Sequence, residues 1–137
     1  LEFRRVLFRS RRKKVPIERP YHESINQWMI MKRQQMNALK QKWKTFICWL
    51  VANSGYSDLK INQCEIYQKV YFPTTRRADL DNTVPKFILD GFVESGLLID
   101  DSYSHIRKLV LEADYDNERP RTEITIKIID ELKENTK

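Results

Sequence analysis

Glycine, cysteine and histidine are scarce in this chain, and their scarcity removes several chemistries before any motif is read. Three glycines in 137 residues leave no glycine-rich loop of the kind whose backbone amides cradle phosphates. The two cysteines, Cys48 and Cys64, have no metal-ligand spacing and fall in a predicted helix and a predicted strand. They read as buried free thiols of a reducing compartment. His22 and His105 build no Ser-His-Asp or Cys-His set, although His105 stands only four positions past Asp101. No apolar run approaches the ~20 residues that a membrane span needs, and there are no internal repeats.

A bulk charge signal is also weaker than it looks. The net charge is +6, but residues 1–14 carry all of it, with seven bases against Glu2, and the residues after them hold 18 bases and 18 acids. Leu1-Glu2-Phe3 is what common cloning-site codons encode, and the ten residues from Leu1 to Ser10 read as vector or adaptor sequence rather than the start of a fold. Residues 1–14 are therefore expected to be an adventitious or disordered basic arm, and residues 15–137 a single domain. The alternative is a native amphipathic arm lying along phosphates. What survives removal of the arm is local: residues 19–50 hold six bases and one acid, and that imbalance is the better nucleic-acid signal.

What is there fits one globular domain, with 41% hydrophobic and 32% charged residues. Residues 11–23 are basic and broken by Pro16 and Pro20, with room for an edge strand near Val15–Ile17 and a polar loop containing Asn26. Residues 28–52 form the clearest helix. Met31, Leu39, Trp43, Phe46, Ile47, Leu50 and Val51 make its apolar stripe, and Lys32, Arg33, Lys40, Lys42 and Lys44 a basic one. Trp43 and Trp49 are assigned to packing, Trp28 to packing or base stacking. Asn53-Ser54-Gly55 ends the helix. Cys64 to Phe72 alternates as a strand, its inner face spoiled only by Gln68, and Pro73 stops it. Ser102–Tyr115 and Arg121–Asp130 read as two more strands joined into a hairpin by Asp116–Pro120, before a charged tail from Glu131. The fold class is α/β (α+β): a mixed sheet of about four strands with two main helices.

The chain is organised around residues 76–101, where acids flank one short amphipathic helix. Asp79 and Asp81 alternate with Ala78 and Leu80, which in extended backbone puts both carboxylates on one face. Phe87, Ile88, Phe92 and Val93, with Leu89, predict a helix from about Asn82 to Ser95, its start delayed by Pro85 and its end set by Gly96. A short return through Leu97, Leu98 and Ile99 would then bring Asp100 and Asp101 back toward Asp79 and Asp81. Two carboxylates about 4 Å apart repel by roughly 4 kcal/mol at an effective dielectric near 20, so four together call for a cation or raised pKa values. Oxygen-only ligands favour Mg²⁺ or Mn²⁺. Asp90, inside the helix, is either a structural partner or a further ligand. Arg76 and Arg77 stand just before the acids, placed to meet a phosphate.

The ordered run Arg-Arg-Ala-Asp-Leu-Asp-Asn, then Lys86, Ile-Leu-Asp-Gly-Phe and Glu-Ser-Gly-Leu-Leu-Ile-Asp-Asp-Ser resembles the signature of the RusA-like Holliday-junction resolvases of phage and prophage. The resemblance implies catalytic roles for Asp79, Asp81, Lys86 and Asp101, with Asp79, Asp81 and Asp101 binding metal and Asp100 assisting as ligand or orienting group. It further implies a Mg²⁺ cofactor, a four-way DNA junction as substrate, a homodimer making paired nicks, and residence in the cytoplasm of a bacterial host. DNA contacts would come from Arg76, Arg77, Lys32, Arg33, Lys40 and Lys44. In one respect the chain departs from the family pattern: Lys86 follows Asp81 one residue later than usual, and Pro85 is the extra residue. Two other functions are weighed beside it, a non-catalytic module that binds branched DNA, with the acids as helix caps, and a metal-dependent nucleotide phosphohydrolase. Capping does not account for an acidic pair that returns after the helix, and no base-recognition pocket is evident.

Overall fold

A computed structural model describes residues 2–3 and 31–129. The expected strand at Val15–Ile17, Asn26, His22, Trp28 and the charged tail lie outside the described residues. Among the described residues four strands form one sheet in the order β1-β4-β2-β3, where β1 is Glu2–Phe3, β2 Cys64–Phe72, β3 Ile106–Tyr115 and β4 Arg121–Ile128. Among the described residues two helices, α1 (Arg33–Asn53) and α2 (Lys86–Glu94), pack in the core together with Ile61, Leu97 and Leu98 of the connecting segments, and a 3-10 turn at Leu80–Thr83 precedes α2.

Helix α1 runs 21 residues; it opens at Arg33, later than the predicted helix over 28–52, since Met31 and Lys32 are not helical, and it packs through the second half of its apolar stripe. Trp43, Phe46, Ile47 and Val51 are all buried. It stops where Ser54 caps Leu50 with its hydroxyl and Gly55 takes a left-handed φ of +82°, a conformation glycine adopts without a Cβ clash. Trp43 is fully buried and Trp49 packs at the core's margin, as the stripe predicts. Helix α2 presents Phe87, Ile88, Gly91 and Phe92 inward. It begins later than the periodicity alone suggests, since Pro85 sits at its N-cap with φ −86° and ψ 57°.

Strand β2 has the bounds the alternation predicts and is the sheet's axis. Cys64, Ile66 and Gln68 point inward and register against Ile128, Ile126 and Ile124 of β4, antiparallel. On its other side β2 runs parallel to β3, with Ile66 opposite Leu109 and Gln68 opposite Leu111. The expected β3–β4 hairpin is therefore not formed: β2 lies between its two arms. The five residues 116–120 cross over the end of β2, where the Asp116 amide donates to the Phe72 carbonyl at 2.9 Å. Two strand spacings are only about 10 Å, within the roughly 16 Å that five extended residues can reach. Asp116 fastens the crossing by accepting from the Glu118 and Arg119 amides at 3.1 Å and from Arg121 at 2.8 Å. These bonds, that from the Arg119 amide foremost, hold its carboxyl below the usual range. Among the described residues no helix is long and apolar enough to cross a membrane.

Candidate active site

The acids arrive on two segments held in different ways. Asp79 is extended, with φ −82° and ψ 131°, but the chain turns immediately after it. Asp81 lies in the 3-10 turn rather than in strand, so alternation does not place the two carboxylates on one face. Asp and Asn favour local turns over extended backbone, and here the Asn82 amide bonds back to the Asp79 carbonyl at 3.1 Å. Thr83 adds a hydroxyl bond to the Leu80 carbonyl at 2.6 Å. Both acids are exposed. Arg77 lies 3.7 Å from Asp79, an exposed pair of the kind that contributes little to stability.

The second segment is pinned from beneath. After α2, Gly96 adopts φ +80°, and Leu97 and Leu98 are buried. Their backbone pairs in parallel with the segment leaving α1: the Lys60 amide donates to the Gly96 carbonyl at 2.9 Å, Ile61 to Leu97 at 2.8 Å, and Ile99 back to Ile61 at 3.1 Å. The acidic pair at 100–101 therefore emerges from a hydrogen-bonded seam, as a short return through these residues requires. Asp100 is held below the usual carboxylate range by the Asp101 backbone amide, with the Ser102 hydroxyl and nearby His105 helping. Asp101 goes the other way: partial burial pushes its carboxyl up, and the charges of Asp90 and Asp100 push it further. His105 is occupied at Nδ1 by the Asn62 carbonyl at 2.6 Å.

What the fold brings together is an open groove of about 310 Å³ between the two helices, lined by Lys40, Lys44, Asp90, Val93, Glu94 and Asp101. Lys40 and Lys44 stand one turn apart on α1, and Asp90 and Glu94 one turn apart on α2, so each pair shares a face. Three residues of the expected set, Lys40, Lys44 and Asp101, thus meet here. Asp90, left open between ligand and structural partner, stands with them, and Glu94 joins unanticipated. The signal for it is the four-residue step from Asp90, matching the step from Lys40 to Lys44. Among the described residues no three His, Cys, Asp or Glu side chains gather closely enough to hold a metal ion, so Asp79 and Asp81 do not join Asp101 in a coordinating cluster here. Arg76, Arg77 and Lys86 are exposed, while Lys32 and Arg33 open α1. Arg33, Lys40 and Lys44 fall on one helical stripe by their seven- and four-residue steps. Cys48 and Cys64 are free thiols, and burial pushes Cys64 up to about 11.

This small α/β domain sets acids and bases along one groove. The family model described as endodeoxyribonuclease RusA matches residues 7–127, which is most of the chain. The chain belongs to the RusA endodeoxyribonuclease family, in agreement with its motif, and the activity of that family is nuclease activity. No match was found among the curated proteins.

Proposed function

We propose that this chain is a divalent-metal-dependent endonuclease that resolves four-way DNA junctions by paired nicks, acting as a homodimer in the cytoplasm of a bacterial host. The observation that carries the proposal is the family match over residues 7–127, joined to a groove in which Lys40 and Lys44 face Asp90, Glu94 and Asp101. Two lysines in line on α1 offer a track for a phosphate backbone, and the track leads to Asp101.

Mg²⁺ suits the donors, which are all carboxylate oxygens. The raised Asp101 carboxyl, crowded by Asp90 and Asp100, is what a nearby cation would relieve. By the motif, Asp79, Asp81 and Asp101 would hold the ion once the turn that carries Asp79 and Asp81 is drawn in towards Asp101, and Asp100, held by the Asp101 amide and Ser102, would assist as a ligand or orienting group. When bound there, Mg²⁺ would supply positive charge for the phosphate oxygens and for activating water. Lys86, at the exposed first turn of α2, adds positive charge at the phosphate, and Arg76 and Arg77 steer the strand towards it. Because one site makes one cut at a time, symmetrical nicks require two copies.

The test is incubation with a synthetic four-way junction and a matched linear duplex in Mg²⁺, Mn²⁺ or EDTA, resolving products strand by strand. Paired nicks on the junction alone, lost in EDTA, are expected. Asp81→Asn is expected to abolish nicking while junction binding persists or tightens, since a negative charge that repels the phosphate backbone is gone. Junction binding without nicks in either metal would sink the nuclease reading in favour of a branched-DNA-binding module.

A further inference from the structure

Gln68 is the one side chain on the inner face of β2 that its apolar neighbours do not account for. It is 1% exposed, registers between Ile124 of β4 and Leu111 of β3, and its Nε2 donates to the Thr83 carbonyl at 2.7 Å. Among the described residues its Oε1 is buried without a hydrogen-bond partner. So is the hydroxyl of Thr122, which stands opposite Val70 one inward position along the same face. An unpaired buried oxygen destabilises, and a methionine or leucine would fill the same space without one. The amide is therefore not explained by packing, and the bond to Thr83 is what it alone provides.

That bond reaches the acids in two steps. Thr83 is itself buried and ties back to the Leu80 carbonyl through Oγ1. Asn82, beside it, ties back to the Asp79 carbonyl. Gln68 thus grips the C-terminal residue of the 3-10 turn that carries Asp81 and follows Asp79. Immediately beyond come Val84 and Pro85, where the spacing to Lys86 is one residue longer than the motif usually has. The Lys86 amide bonds to the Val84 carbonyl at 3.0 Å, so the extra residue is absorbed as a tight bend directly after the gripped position.

We propose that Gln68 is a positioning residue: its side-chain amide anchors the acid-bearing turn to the sheet and sets the angle from which Asp79, Asp81 and Lys86 approach the substrate. The assignment rests on the nuclease reading for its catalytic consequence, but the anchor itself is tested without it. In Gln68→Met the side chain keeps its length and the unpaired oxygen is removed. The buried oxygen that is removed and the Thr83 carbonyl that loses its donor act in opposite directions, so the melting temperature is expected to change little. Amide exchange at Asn82 should quicken roughly tenfold or more while core amides of β2 and β4 keep their protection. Nicking of a four-way junction should fall in kcat by about tenfold or more, with KM unchanged, as when a group that orients a catalytic residue is removed. Thr83→Val, which cuts the next link in the chain, should reproduce the loss of kcat in a folded protein. Unchanged exchange at Asn82 with full kcat would overturn the proposal. So would a lowered melting temperature with exchange quickened evenly across the sheet, because that is the mark of a packing role. If the unaltered chain does not nick junctions, the nuclease reading fails, and exchange at Asn82 alone decides whether Gln68 anchors the turn.

Discussion

Helices α1 and α2 meet along two lines that obey opposite rules. On the inner line Gly91 lies so close to Ile47 that a Cβ built on it would stand 2.6 Å from the Ile47 Cβ and 2.8 Å from its Cγ2. On the outer line, one residue from Gly91 and three from Ile47 in sequence, Asp90 and Lys44 border an open groove. The inner line tolerates no added atom, and the outer line is left empty. The two are linked: the helices come near enough to set Lys40 and Lys44 across from Asp90 and Glu94 because a glycine lets them. A residue chosen for packing thereby sets the width of a site whose own residues contribute little to stability.

The largest effect should come from the inner line. Phe92 is fully buried, and Phe92→Ala is expected to cost about 3–5 kcal/mol, a large share of the roughly 5–15 kcal/mol typical of a domain. Urea unfolding measures it, and a cost under about 1 kcal/mol would mean the seam is not the core. Gly91→Ala comes next and joins the two lines. Overpacking costs about 1–3 kcal/mol, and the better helix propensity of alanine returns about 1 kcal/mol, leaving a net loss of at most about 2 kcal/mol. The clash is with the branched carbon of Ile47, not the end of a flexible side chain, so the helices must part and the groove must widen. Junction nicking should therefore fall further than the lost stability explains when assayed well below the melting temperature. Unchanged nicking would uncouple groove width from function.

Local patterns were legible in the sequence because they depend on neighbours along the chain. The bounds of β2, the end of α1 at Asn53, the stop at Gly96 and the burial of Trp43 all follow from periodicity and turn chemistry. The placement of β3 and β4 does not, since Asp116–Pro120 has the same composition whether it closes a hairpin or crosses over β2. Only pairing with β2 on both sides decides it, and that is a long-range choice. The site divides in the same way. Asp101 is readable from the motif, and Lys40 and Lys44 from local charge. Glu94 looks like any exposed helical glutamate until the fold sets it opposite Lys44. Gln68 looks like a flaw in an apolar face until Thr83 is found above it.

The smallest change in stability, and the most informative in binding, should come from the outer line. Lys40 and Lys44 are half-buried at the groove, and their charges lie on the side of α1 that faces the acids. Replacing both with alanine is expected to move the unfolding free energy by no more than about 0.5 kcal/mol, in contrast to Phe92→Ala one helix away. Their work, if the groove admits DNA, lies in neutralising phosphates, and each phosphate left without its lysine should flatten the plot of log affinity against log salt by about 1. Measured in an Asp81→Asn background, so that the junction survives the titration, the double variant should bind more weakly at low salt and reduce the slope by about 2. An unchanged slope would take both lysines out of the DNA path. It would also leave Asp101 facing a groove that phosphates do not enter, so the approach would then have to run over the exposed Arg76, Arg77 and Lys86.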